Sequence, residues 1–303
     1  MSNKHLNNAK KNKNDEFFTQ LPDIENELRH YQNHFKNKIV FCNCDDPTFS
    51  NFWKYFHLNF QKLKLKKLLS THYSKEGSSY KMEYSGGNDS DRDIGIKTPL
   101  IENGDFRSQE CIELLKKSDI VVTNPPFSLF REYVAQLIKY NKKFIIIGSL
   151  NALTCKGIFT LFKNNSFWFG YNSNKIFKFS VPDYYKAPKS TEVDEFNRKI
   201  IKMSAICWFT NCSITKQLEK IQLTEIYTPE KYPKYDNYDA INVDKVKEIP
   251  KDYDGVMGVP ISFFTKYSPA QFEIIKFRKG DDNKDLRLSG THPYCRILIR
   301  KIV

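Results

Sequence analysis

The sequence predicts an α/β fold: a doubly wound, mostly parallel sheet with an antiparallel closing strand, plus a smaller irregular carboxyl-terminal region. Three observations predict it. The runs Ile120-Val121-Val122-Thr123 and Phe144-Ile145-Ile146-Ile147 are continuously apolar and rich in β-branched residues, as strands buried on both faces of a parallel sheet are. Such runs alternate with amphipathic stretches of helical period, and that alternation builds a sheet covered by helices. From about residue 213 the texture changes to interleaved tyrosine, lysine and proline. The predicted organisation is a disordered basic tail at 1–14, a large domain at 15–212 and a smaller region at 213–303.

Residues 1–14 are mostly asparagine and lysine, with little to bury. Phe17 and Phe18 precede a helix expected near 24–35 and suit a hydrophobic staple onto it. The first sheet strand spans 38–44 and runs into Asp45-Asp46-Pro47, and Ser50 is the candidate cap of a helix carrying Phe52, Tyr55 and Phe56. A second strand at 66–73 ends without an acidic residue, which leaves Glu76 or an earlier aspartate to fill that role. The alternating Tyr80-Lys81-Met82-Glu83-Tyr84, the turn Gly86-Gly87-Asn88 and Ile94-Gly95-Ile96 predict a hairpin. Asn103-Gly104-Asp105-Phe106 leads into a helix capped by Ser108. After the strand at 143–149 come a helix near 156–163 and short aromatic strands at 167–170 and 178–181. A polar loop at 183–200 holds Tyr184, Lys186 and Lys189, and a strand at 203–210 completes the sheet.

The most informative stretch is Asn124-Pro125-Pro126-Phe127. The prolines cannot join a ladder, so the strand ends at Asn124, and Leu129, Phe130, Tyr133, Val134 and Leu137 then predict a helix. Asn124 and Phe127 therefore sit at the carboxyl end of a strand, where open α/β sheets hold their ligands. An amino group on an aromatic ring is a weak nucleophile, because its lone pair is delocalised. The Asn124 side-chain oxygen and the Pro125 carbonyl are rigid acceptors suited to holding both of its N–H bonds, and Phe127 is suited to stacking on the ring. The plainer reading is a proline-broken turn with Phe127 packed in the core. The flanking strand and helix favour the chemical one.

Composition bounds the partners. The formal net charge of +13 points to a polyanion, although basic proteins without one are common. Seven cysteines form no CxxC pair, and the Cys42/Cys44 spacing inside a strand suits neither a zinc site nor a redox motif. Reduced thiols and no metal are expected. No stretch approaches 18 apolar residues and no signal-peptide core is present, so a soluble cytoplasmic protein is expected.

The tetrapeptide Asn124-Pro125-Pro126-Phe127 resembles that of amino-group methyltransferases that use S-adenosylmethionine. With Asn14-Asp15-Glu16-Phe17-Phe18-Thr19-Gln20, Phe41-Cys42-Asn43-Cys44-Asp45-Asp46-Pro47 and Tyr235-Asp236-Asn237-Tyr238-Asp239-Ala240, the chain from Asp15 to about Phe277 resembles the EcoRI-type adenine-N6 DNA methyltransferases. The resemblance implies a Rossmann-like methyltransferase domain with Asn124, Pro125, Pro126 and Phe127 as the catalytic residues. It implies that Phe17, Thr19, Asn43, Asp45, Asp46, Asp105, Phe106 and Asn124 contact S-adenosylmethionine. The turn at 42–47 lacks the glycines of most methyltransferases and matches the EcoRI-type variant. An ordinary Asp cap on the next helix, and a surface turn at 103–106, are the plainer readings of those two segments.

Double-stranded DNA is the expected partner. Tyr184, Lys186, Lys189, Lys231, Lys234, Tyr235 and Tyr238 are its candidate contacts, because aromatics interleaved with lysines stack bases and neutralise phosphates. A solvated, irregular subdomain is the plainer reading. The resemblance implies transfer to N6 of a flipped adenine, in a restriction–modification setting, and a monomer without a stable nuclease complex is expected. Methylation of a protein glutamine or of RNA adenine, and a non-catalytic DNA-binding protein, are the rivals.

Overall fold

A computed structural model of the chain describes residues 17–44, 46–74, 78–87, 95–173, 175–181, 191–194, 197–215 and 219–302. The expected basic tail, Asp45, Glu76, Tyr184, Lys186 and Lys189 lie outside these residues. The chain divides into two compact units, Met1–Cys212 and Ser213–Val303.

The first unit opens with β1 (Phe18–Thr19), α1 (Leu21–Leu28) and α2 (Gln32–Phe35). A single helix is expected here, but the chain leaves helical geometry at Tyr31, and both Tyr31 and Phe35 are fully buried. Next come β2 (Ile39–Cys42), α3 (Asn51–Leu58) and β3 (Lys67–His72). Ser50 caps α3 by accepting the amides of Phe52 and Trp53, as its position predicts. The hairpin β4 (Tyr80–Tyr84) and β5 (Ile96–Pro99) is antiparallel, and Ser108 caps α4 (Gln109–Lys117). Strand β6 (Ile120–Thr123) is buried at every position. It is followed by one 3-10 turn (Phe127–Leu129), α5 (Phe130–Lys139) and β7 (Lys143–Ser149). The unit ends with α6 (Lys156–Lys163), β8 (Trp168–Phe169), β9 (Lys175–Val181), β10 (Glu192–Val193) and β11 (Lys199–Thr210). Strand β11 is longer than predicted, because Lys199, Lys202 and a bulge between Met203 and Ile206 break the apolar pattern.

These strands form one sheet in the order β1-β9-β11-β7-β6-β2-β3-β4-β5, with β8 and β10 also paired to β11. The centre, β7-β6-β2-β3, is parallel, and β11 closes it antiparallel. The hairpin on one flank and β9 and β1 on the other are antiparallel too. The chain runs outward from β2 to β3, then returns to β6 and runs the other way to β7. The strand order therefore reverses between β2 and β6. Ligands of open α/β sheets sit at such a switch point, outside the carboxyl ends of the strands.

The second unit is more regular than the sequence predicts. It holds a five-stranded sheet in which β12 (Lys234–Tyr235), β13 (Tyr238–Asn242), β14 (Met257–Pro260), β16 (Arg296–Lys301) and β15 (Phe272–Phe277) are neighbours in that order. Only β13 and β14 pair in parallel. The strands are short and separated by Asp-, Asn- and Pro-rich loops, so their period-2 pattern is hard to tell from a lysine–tyrosine surface.

Candidate active site

Asn124 directly follows β6, beside the switch point. Its residue is 6% exposed, and its amide nitrogen donates to the Phe17 carbonyl at 2.6 Å. Its side-chain oxygen is buried and has no hydrogen-bond partner among the described residues. A buried acceptor left unpaired costs about 1–3 kcal/mol, so this oxygen is able to take a donor brought to it. Pro125 is buried beside it, and the Pro126 carbonyl takes the Leu129 amide at 3.0 Å, which starts the turn into α5. Phe127 is partly exposed. Its ring centre lies 5.8 Å from that of Phe17 and 6.4 Å from that of Phe179, so the predicted stacking residue stands in an aromatic cluster supplied by β9 and by the residue just before β1.

The amino-terminal arm is brought to this point by β1, whose residues pair as Phe18↔Ser180 and Thr19↔Phe179. Thr19 is 1% exposed, and its hydroxyl has no partner among the described residues. Asn51 donates to the Thr19 carbonyl at 2.7 Å and ties the arm to α3.

At the end of β2, Asn43 is buried. Its carbonyl accepts from the Thr123 hydroxyl, locking β2 to β6, and its side-chain oxygen accepts from the Tyr133 hydroxyl on α5. That oxygen, expected to face a cofactor, is thus committed to the interior. Burial pushes the Tyr133 phenol well above its ordinary value, so it stays a neutral donor. Cys44 follows with φ 72°, the left-handed conformation that a glycine would adopt freely.

Asp46 is partly buried. One carboxylate oxygen accepts from Tyr80 at 2.5 Å and from the Thr48 hydroxyl at 2.6 Å, and the other lies 3.4 Å from His72 Nδ1 at the end of β3. Burial raises its pKa, but the hydrogen bonds from Thr48 and Tyr80 outweigh burial and hold the carboxyl below the ordinary range. The acid that β3 lacks is therefore brought to its end from β2. Sequence reasoning missed His72 and Tyr80; the strict alternation of β4 placed Tyr80 in a strand but gave no sign of its partner.

The loop at 103–106 packs on the same end of the sheet. Gly104 has φ 76°, and a Cβ there would meet the His72 carbonyl at 2.2 Å, so only glycine allows the approach. This brings in Asp105, whose oxygens take the Arg107 backbone amide at 2.8 Å, Nε at 2.9 Å and the second guanidinium nitrogen at 2.7 Å. Burial raises the Asp105 pKa, and the Arg107 hydrogen bonds more than reverse it. A carboxylate accepts about four hydrogen bonds, so about one position stays open. Phe106, expected to contact S-adenosylmethionine, is 5% exposed, edge-on to Tyr133 at 5.0 Å and under the Arg107 guanidinium at 5.2 Å. Its ring supports the loop from the core side.

In the second unit Lys231 and Lys234 are exposed and paired with Glu225 at 2.5 Å and Asp239 at 3.1 Å. Solvent and salt screen exposed pairs, so a phosphate competes for these lysines easily. Tyr238 is partly buried, with Lys276 Nζ 5.3 Å from its ring centre. Tyr235 is a correction. It belongs to the buried cluster with Ala240, Leu286 and Leu298, its hydroxyl donates to Asn242 at 2.7 Å, and it offers no face for a base.

The sequence profile of the adenine-specific methyltransferase EcoRI family matches residues 5–298. The chain belongs to this family. It is accordingly an adenine-specific methyltransferase. The type II methyltransferase M.EcoRI of Escherichia coli is 50% identical over 316 residues, covering 99% of this chain and 97% of the relative. M.MgeORF184P of Mycoplasma genitalium is 40% identical, covering 98% of each chain. M.MpnI of Mycoplasma pneumoniae is 43% identical over 276 residues, covering 89% of this chain and 85% of the relative. No solved structure matches. No helix among the described residues is long and apolar enough to cross a membrane.

Proposed function

We propose that the chain methylates N6 of an adenine flipped from a specific site in duplex DNA, as the modification enzyme of a restriction–modification system. The observation that carries the reading is the unpartnered Asn124 side-chain oxygen at the switch point. An adenine amino group has two N–H donors, and this acceptor is suited to one while the Pro125 carbonyl takes the other. N6 is out of reach inside a base-paired stack, so the base must be extruded to arrive.

S-adenosylmethionine, when bound, supplies an electrophilic methyl group. The residues at the strand ends fit it: the unpaired Thr19 hydroxyl, the ionised Asp46 and Asp105 carboxylates, and the apolar Phe17 side chain lie on the elements that flank the switch point. Asp46 serves the hydroxyl-binding role at the end of β3, and Asp105 keeps one acceptor position for an amino group. The Asn43 side-chain oxygen is held by Tyr133, and the Phe106 ring packs against Tyr133 and Arg107. Phe127 stacks on the target base and Asn124 holds its amine, so the protein contributes placement and not acid–base chemistry. The Asn124 oxygen is closed off from solvent, so admission of a base requires a local movement. Phe127, partly exposed in a single 3-10 turn, is placed to make it.

The second unit carries target recognition, with Lys231 and Lys234 on phosphates. Tyr184, Lys186 and Lys189, outside the described residues, are assigned to DNA from the sequence alone. The enzyme works as a monomer in the bacterial cytoplasm, on the nucleoid. It shares a DNA sequence with a companion nuclease rather than a stable complex with it.

The test is to incubate the purified chain with S-adenosylmethionine and duplex DNA, RNA or a glutamine-bearing protein, and to analyse the products by mass spectrometry. N6-methyladenine in duplex DNA alone is expected. Modification of RNA or protein in its place overturns the substrate assignment.

A further inference from the structure

The Asn124 backbone is fixed by the strand before it and the prolines after it. One choice remains. The side-chain amide has an oxygen end and a nitrogen end, and a half-turn exchanges them. Only one sense presents an acceptor to an incoming amine; the other sets donor against donor.

The group that decides is the Phe17 carbonyl. A carbonyl only accepts, and it meets the amide at 2.6 Å, so the nitrogen is drawn to it and the oxygen is left facing away. We propose that the Phe17 carbonyl is a positioning group for methyl transfer: the amino-terminal arm, 107 residues from Asn124 in the sequence, sets the sense in which Asn124 meets the base. This rests on the role given to Asn124 above.

The arm is built to hold that carbonyl still. Phe17 is 2% exposed, its ring centre 5.8 Å from that of Phe127 and 5.9 Å from that of Phe179. One residue on, β1 pairs with β9, and Asn51 anchors the Thr19 carbonyl to α3. The carbonyl is thus referenced to the sheet and to a helix.

Asn124→Asp tests the idea, because an aspartate cannot donate to Phe17 whereas its protonated form can. At neutral pH two acceptors face each other. At lower pH the acid O–H donates to Phe17 and the remaining oxygen faces the base, as in the native amide. The expected result is turnover about 10²-fold below wild type at neutral pH, recovering as pH falls while wild type does not. Asp46 is held ionised, Tyr133 is held neutral, and His72 is common to both proteins, so comparison with wild type isolates residue 124. An Asn124→Asp profile parallel to wild type, whether active or uniformly inactive, overturns the proposal.

Asn124→Ala run beside it separates the two ideas. If alanine is silent, the role of Asn124 fails. If alanine cripples turnover while aspartate follows the wild-type profile, only the role of Phe17 fails. Should the aspartate variant not fold, replacing the Phe17–Phe18 peptide by an ester weakens the carbonyl and keeps every side chain. A fall of about tenfold in kcat with KM for DNA unchanged is expected, and an unchanged kcat overturns the proposal.

Discussion

His72 Nδ1 lies 3.4 Å from an oxygen of Asp46, joining the carboxyl ends of the parallel neighbours β3 and β2. The same carboxylate accepts from Tyr80 and Thr48, and these bonds hold its pKa below the ordinary 3.8 against the upward push of burial. A depressed native pKa means that the unfolded chain binds the proton more readily. The stability Asp46 contributes is therefore full above 3.8 and is lost as pH falls through the lower native value. Asp46→Asn is expected to flatten the acid limb of the melting temperature, measured from about pH 5 down to about pH 2. It is also expected to weaken S-adenosylmethionine binding about tenfold by calorimetry, with DNA affinity kept.

Cys44 occupies the left-handed region in the turn after β2. A non-glycine residue there carries about 1 kcal/mol or more of strain. Cys44→Gly is expected to raise stability by about 0.5–1 kcal/mol in urea unfolding, and Cys44→Val to lower it by about 1–2 kcal/mol. A glycine variant that unfolds more easily than wild type would show that the thiol's hydrogen bond with the Tyr133 side chain outweighs the relief of strain.

Glu27 is wholly buried and clamps the chain after β8. Its oxygens take the Tyr31 hydroxyl at 2.8 Å, the Tyr171 amide at 2.8 Å and the Asn172 amide at 2.7 Å. Gly170 lies so close that a Cβ would meet Glu27 Oε1 at 2.1 Å. Glu27→Ala strands those donors and is expected to cost about 3–5 kcal/mol by denaturant titration. Loss of less than about 1 kcal/mol would mean that water replaces the carboxylate there.

Much of the first unit was legible because its signals are local. Ser50 and Ser108 sit one residue before amphipathic runs, and the apolar stretches of β6 and β7 have one reading once prolines or turns bound them. The position of Asn124 followed from the same logic. What was not legible depends on contacts across the sheet. The Asp46–His72 pair, the Tyr133–Asn43 bond and the turn of Phe106 into the core leave no mark in residue spacing. Tyr235 shows the opposite error. Interleaving with lysine suggested a surface, whereas alternation along β12 and β13 points its ring inward, where the missing side chain of Gly258 makes room for it.

That difference can be measured in the second unit. Tyr235→Ala is expected to cost about 3–5 kcal/mol of stability. Lys234→Ala is expected to leave the unfolding midpoint unchanged and to reduce the salt dependence of DNA binding by about one unit of slope. An unchanged salt slope would remove Lys234 from the DNA surface.

The central claim is that the Asn124 oxygen holds the amine of the base that is methylated. Single-turnover methylation of duplex DNA by Asn124→Ala, with DNA and S-adenosylmethionine binding measured on the same protein, tests it most directly. The account predicts a loss of about 10²–10³ in the transfer rate with both affinities kept. Transfer at the wild-type rate from the bound complex, with only binding impaired, would contradict it.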